Sequence, residues 1–131
     1  DVVPEGARVA ARAPVGAARV MVLARGSQRL LLVAYERDDA WHKVEVDPPP
    51  ARSAAAWAAT RGGRGVPALS AVYGRTEADW VRVEWADGSN TPDMEARPDG
   101  TFLITRSGHV RSKSVLMLSS DGTVLSTIDG P

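Results

Sequence analysis

Short apolar runs alternate with polar residues along this chain, and glycine, proline and aspartate cut them at close intervals. The cleanest example is Trp80–Ala86 (WVRVEWA). Val81, Val83 and Trp85 fall on one face and Arg82 and Glu84 on the other, the period-two pattern of a half-buried strand. Ala17–Arg25 (AARVMVLAR), Ala40–Asp47 (AWHKVEVD), Ala68–Gly74 (ALSAVYG), Thr101–Arg106 (TFLITR) and Thr123–Ile128 (TVLSTI) read as further strands. Gln28–Arg37 (QRLLLVAYER) and Ser112–Ser119 (SKSVLMLS) are apolar on both faces at their centres, which suits central strands. A short strand near Arg8–Arg12 and an irregular one within Asn90–Arg97 complete the set.

The punctuation agrees with that reading. Asp87-Gly88, Asp99-Gly100 and Asp121-Gly122 each stand between apolar runs, and Asp-Gly tolerates the positive φ angles of tight hairpins. Between the halves lies DPPPARSAAAWAATRGGRGVP, from Asp47 to Pro67. Its three prolines cannot sit inside a sheet. Its Ala-rich core, Ser53–Thr60, carries strong helix formers with Ser53 as an N-cap, and predicts one or two helical turns.

The pattern therefore predicts an all-β, antiparallel, sandwich-like fold of two sheets with a short helix around residues 53–60. The 131 residues suit one globular unit. Within it, residues 1–47 form an N-terminal three-stranded sheet, 48–67 a Pro/Ala/Gly linker and 68–131 the C-terminal part of the sandwich. A three-stranded sheet alone would be marginal, which favours one unit.

Composition removes several chemistries. There is no cysteine, so thiolate catalysis, disulfides and Cys-ligated metals are excluded. Acidic and basic residues balance at 16 each, against a general binder of nucleic acid or anionic membrane. No apolar run approaches the ~20 residues of a membrane helix, so membrane attachment would need a segment outside this chain. The chain opens on Asp1 without a methionine, which reads as a processed or excised segment of a longer product.

No motif demands catalysis. His42 is in phase with Val44 and Val46, His109 sits in a turn, and neither has metal-ligand spacing. The Asp-Gly pairs lack the dense oxygen spacing of a calcium loop and read as turns. Glu36, Glu45 and Glu84 read as outward strand charges. Arg61–Gly65 (RGGRG) follows no strand–helix phosphate loop and reads as flexible linker. Trp85 falls on a buried face, while Trp41 and Trp80 begin their strands out of phase with the apolar faces. An exposed tryptophan near arginine can bind a sugar or a protein. Trp41, Trp80 and His42 are the candidate binding residues; no catalytic residue, metal ligand or cofactor is expected.

The C-terminal half, VYGRTEADWVRVEWADG then PDGTFLITRSG then SVLMLSSDGTVLSTID, resembles β-rich extracytoplasmic domains of Gram-positive bacterial proteins. The resemblance covers about Leu69 to Asp129 and rests on turn-and-strand motifs. Many such proteins carry an N-terminal membrane anchor. It implies an extracytoplasmic, non-enzymatic binding or interaction domain, facing a protein or cell-envelope partner and no nucleic acid. The competing expectation is a small-ligand sensor or enzyme with His42 and a carboxylate in a cleft between the halves. A third is a structural spacer or self-association module.

Overall fold

The computed structural model describes residues 5–26, 28–37, 40–46, 55–63 and 67–130, and none of these is helical. The strands are β1 (Arg8–Val15), β2 (Ala18–Arg25), β3 (Gln28–Arg37), β4 (Ala40–Val46), β5 (Ala55–Thr60), β6 (Leu69–Arg75), β7 (Trp80–Trp85), β8 (Met94–Glu95), β9 (Thr101–Ser107), β10 (Ser112–Leu118) and β11 (Val124–Asp129). They form three sheets, in the orders β1-β2-β3-β4, β5-β6-β9 and β11-β10-β7-β8, and every strand pair is antiparallel.

The fold is all-β and sandwich-like, but it differs from the sequence expectation in three respects. The N-terminal sheet has four strands instead of three, because β1 extends to Val15 and pairs with β2 along its length. There are three sheets instead of two, because β5, β6 and β9 pair with one another and with neither neighbour sheet. The Ala-rich segment expected as a helix is instead strand β5, in register with β6 from Ala55↔Gly74 to Thr60↔Leu69. Alanine's helix propensity is a weak prior that tertiary context overrides. A row of hydrogen bonds to β6 and burial of Ala55 and Ala58 supply that context. The proposed N-cap, Ser53, lies outside the described residues.

The β5-β6-β9 sheet is the middle layer. Leu69, Ala71 and Tyr73 of β6, Leu103 of β9 and Ala58 of β5 share one apolar cluster with Val20, Val22, Leu31 and Val33 of the first sheet. The alternate residues point the other way. Val72 of β6, Phe102 and Ile104 of β9 and Ala55 of β5 cluster with Val81, Val83, Trp85, Val115 and Met117 of the third sheet. Every residue of β6 from Leu69 to Gly74 is consequently buried. Full burial of one such aliphatic or aromatic side chain stabilises by about 1.5–3 kcal/mol, so a strand that does this on both faces is a main source of stability.

Buried polar residues tie the layers at their ends. Arg29, 5% exposed, enters from β3 and donates from Nε to Thr101 Oγ1 on β9 at 2.8 Å. It also donates to the carbonyls of Gly26 and Gln28, and its Nη2 lies 3.6 Å from Asp99. Burial pulls the Arg29 guanidinium below its usual range, and the Asp99 carboxylate opposes that shift.

The three Asp-Gly pairs build the same turn. The amides of Gly88, Gly100 and Gly122 donate to the carbonyls of Trp85, Arg97 and Ser119. The amides of Trp85, Arg97 and Ser119 donate in turn to the carbonyls of Ser89, Thr101 and Thr123. That pairing is a type I turn closed by a left-handed residue, with φ of 91°, 85° and 89° at the three glycines. Each aspartate accepts from the amide two residues on, Ser89, Thr101 or Thr123, so its carboxylate is an element of the turn. All three carboxyls are held below the ordinary range, Asp121 at about 2; the Ser89 hydroxyl at Asp87, the Arg8 guanidinium at Asp99 and the Ser119 hydroxyl at Asp121 contribute most, and the turn amides add to them.

Candidate functional site

The candidate residues are placed on separate outer layers. Trp41 and His42 belong to β4, at the edge of the first sheet. Trp41 stands opposite Glu36, and its side chain lies outside the described residues. His42 stands opposite Tyr35 across β3–β4 and stacks on it, with ring centroids 5.4 Å apart and planes 24° off parallel. Its side chain is exposed. Trp80 begins β7 in the third sheet, where it is half-buried. The structure therefore does not bring Trp80 together with the β4 pair.

Around Trp80 the strand register assembles an apolar row. Val81, Val83 and Trp85 face the middle layer, so Trp80, Arg82 and Glu84 face outward. Trp80 is opposite Leu118 of β10, and Leu118 is opposite Val124 of β11. The register shifts beside Leu118, and this irregularity leaves Leu125 without a partner across the ladder. Leu118 is fully buried, while Val124 is 48% and Leu125 60% exposed. The row thus runs from a half-buried tryptophan to two open aliphatic side chains on an edge strand. Polar neighbours frame it. Ser114 donates to Glu84 at 2.9 Å, and Arg82 pairs with Asp93 at 2.6 Å.

Sequence reasoning singled out Trp80 and passed over Val124 and Leu125. A signal was available. In a run of hairpins the last strand has one partner, and two adjacent apolar residues there break the alternation that would hide them.

At the opposite edge of the third sheet a cleft of about 810 Å³ opens between the β6–β7 and β8–β9 connections. Its charged lining comprises Arg75, Glu77, Asp79, Glu95, Arg97 and Asp99. Much of that charge already serves the fold. Asp99 pairs with Arg8 at 2.9 Å and lies near Arg29, Arg75 Nε donates to the Asp99 carbonyl at 3.2 Å, and Asp79 accepts from the Ser120 amide at 3.0 Å. The Arg8 guanidinium, with the Thr101 amide, is the main reason Asp99 stays ionised far into acid. A second cleft of about 520 Å³ shares Glu95 to Pro98 and reaches Ala11–Ala13. Neither cleft is lined by His42 or Trp80. Ligand pockets are mostly apolar with a few convergent polar groups, and the larger cleft has the reverse character.

No protein-family model, no curated protein and no solved structure gives a significant match to the chain.

Proposed function

We propose that this chain is a non-enzymatic interaction domain whose contact surface is the outer face and free edge of the third sheet. The observation that carries the reading is the row Trp80–Leu118–Val124 with Leu125, open on edge strand β11. Exposed aliphatic side chains on an unpaired edge are a liability that folded proteins commonly blunt with charge, proline or short strands. β11 places two large aliphatics at its start, and its outer edge has no strand partner among the described residues, an arrangement suited to a protein partner that adds a strand or covers the edge. An extracytoplasmic setting, with a protein or cell-envelope partner, follows from the likeness of the turn-and-strand motifs to anchored bacterial domains.

Site-specific photo-crosslinking in the producing cells tests the reading. A photoreactive residue at Leu125 is expected to give a discrete adduct with another protein, and one at exposed Lys113 of β10 is not. A Val124→Lys change should remove the Leu125 adduct without altering thermal stability by more than about 0.5 kcal/mol, the usual range for surface changes. Identical adduct patterns from both positions, or none from Leu125, would remove this face as the contact surface.

A further inference from the structure

The connection between β9 and β10 (residues 108–111) is tied to β5, β6 and their flanking segments by hydrogen bonds. The Gly108 amide donates to the Ala68 carbonyl at 2.9 Å, and the Arg111 carbonyl accepts from the Ala86 amide at 2.8 Å. Fully buried Ser70, on β6, donates to the Gly108 carbonyl and accepts from the Val110 amide, both at 2.7 Å. Trp57 on β5 closes the arrangement by donating from Nε1 to the Val110 carbonyl at 2.8 Å.

On this pedestal stand two exposed basic side chains. The Arg111 guanidinium lies over the Trp57 ring, 4.3 Å from its centroid. His109 meets the same ring edge-on, with centroids 5.4 Å apart. Stacking on indole fixes one face of a guanidinium and leaves its N–H fork free at the rim. Arg8, Arg29 and Arg82 have carboxylate partners, and Arg106 pairs with Asp87 at 3.1 Å. Arg111 makes no ion pair among the described residues. It is a cation with its position settled and its donors unspent among the described residues.

We propose that the β9–β10 loop is a carboxylate-binding site, in which Arg111 offers a bidentate fork and His109 an adjoining ring nitrogen to the carboxylate of a peptide ligand. A planar fork matches a planar carboxylate. The cluster holds one permanent positive charge, because the neighbouring Arg106 is neutralised by Asp87, and this favours a monoanion over a doubly charged phosphate. Pre-organisation is the physical advantage, since stacking and a locked loop reduce the ordering cost that a flexible arginine would meet on binding. The loop leads into the start of β10 and the β10–β11 turn leaves its other end, so the site does not depend on Val124 and Leu125.

The test is an NMR titration of the whole chain, following the Arg111 Nε–H and Trp57 Nε1–H resonances. Three probes distinguish the source of the carboxylate: a capped tripeptide Gly-Glu-Gly, an N-capped Gly-Gly-Gly with a free C-terminus, and capped Gly-Gln-Gly as the neutral control. Saturable shifts with the first probe assign a side-chain carboxylate, and with the second a chain terminus; either supports the site. Arg111→Lys keeps the charge but loses the fork, and should weaken binding about tenfold, as the loss of roughly one charge-assisted hydrogen bond would. Arg97→Gln, at an exposed arginine of the distant cleft, should leave it unchanged. Equal shifts with the glutamine peptide, no saturable shift with either acid, or full binding by Arg111→Lys would overturn the proposal.

Discussion

Replacing Ser70 by alanine removes one oxygen from the centre of the molecule and leaves every apolar contact in place. Its hydroxyl serves two backbone groups of the β9–β10 loop, the Gly108 carbonyl and the Val110 amide, each at 2.7 Å. Ser70 itself is fully buried. A buried polar group left without a partner costs about 1–3 kcal/mol. Two are orphaned here, although the Gly108 carbonyl at the loop surface can recruit water. The expected loss is therefore about 2–4 kcal/mol, a large share of the 5–15 kcal/mol that holds a typical domain. For a chain of this size each kcal/mol lowers Tm by roughly 3–5 °C, so a fall of about 6–20 °C is expected by calorimetry. Hydrogen exchange should place the new weakness at the Val110 amide. The exposed Ser126→Ala on β11 is the control and should stay within about 0.5 kcal/mol. A Ser70→Ala protein that melts within 2 °C of the parent, with Val110 exchange unchanged, would refute the idea that this hydroxyl locks the loop.

Two glycines of the repeated turn should respond differently to the same change. Gly88 has φ of 91° with open space around a would-be Cβ, so Gly88→Ala meets backbone strain alone, about 1–2 kcal/mol. At Gly100 the added Cβ would also collide with the Thr76 carbonyl oxygen, so Gly100→Ala should lower the urea midpoint clearly more than Gly88→Ala. Acid should weaken the fold in a definite window. Asp87, Asp99 and Asp121 have folded-state affinities for protons below their unfolded value of 3.8. Their stabilisation is complete above that value and is lost as pH falls through the lower folded values. Urea midpoints measured from pH 5 to pH 2 should fall, and Asp99→Asn should reduce the slope without abolishing it, since Asp87 and Asp121 still titrate; an unchanged slope would deny Asp99 that role.

Much of the fold was legible because period-two alternation and turn chemistry are local. The Trp80–Trp85 pattern becomes β7 with its alternation intact, and the Asp-Gly pairs become three copies of one turn. The two-faced reading of β3 also holds, since Leu31, Leu32, Val33 and Ala34 are all buried. The third sheet was hidden because sheet membership depends on pairings distant in sequence. β6 pairs with β9 from Leu69↔Ser107 to Arg75↔Thr101, a partnership that no local pattern announces. The Ala-rich segment misled for a related reason. Alanine's propensity is intrinsic, whereas its value in β5 is small volume beside Val72 and Ala71 in a closely covered middle layer. Of the site, Trp80's outward phase was readable from sequence. The row it forms with Leu118 and Val124 required the register of two further strands, and the stacking of Arg111 on Trp57 joins positions 54 residues apart.

Native-state hydrogen exchange on the isolated chain tests the central claim, that a middle layer covered on both faces holds the fold while β11 remains open for a partner. The account predicts that the paired amides of Ala71, Val72, Tyr73 and Ile104 exchange slowest, at the rate of global unfolding. The β11 amides that point away from β10 should exchange orders of magnitude faster. Fast exchange in β6 and β9, or protection throughout β11 in the monomer, would contradict it.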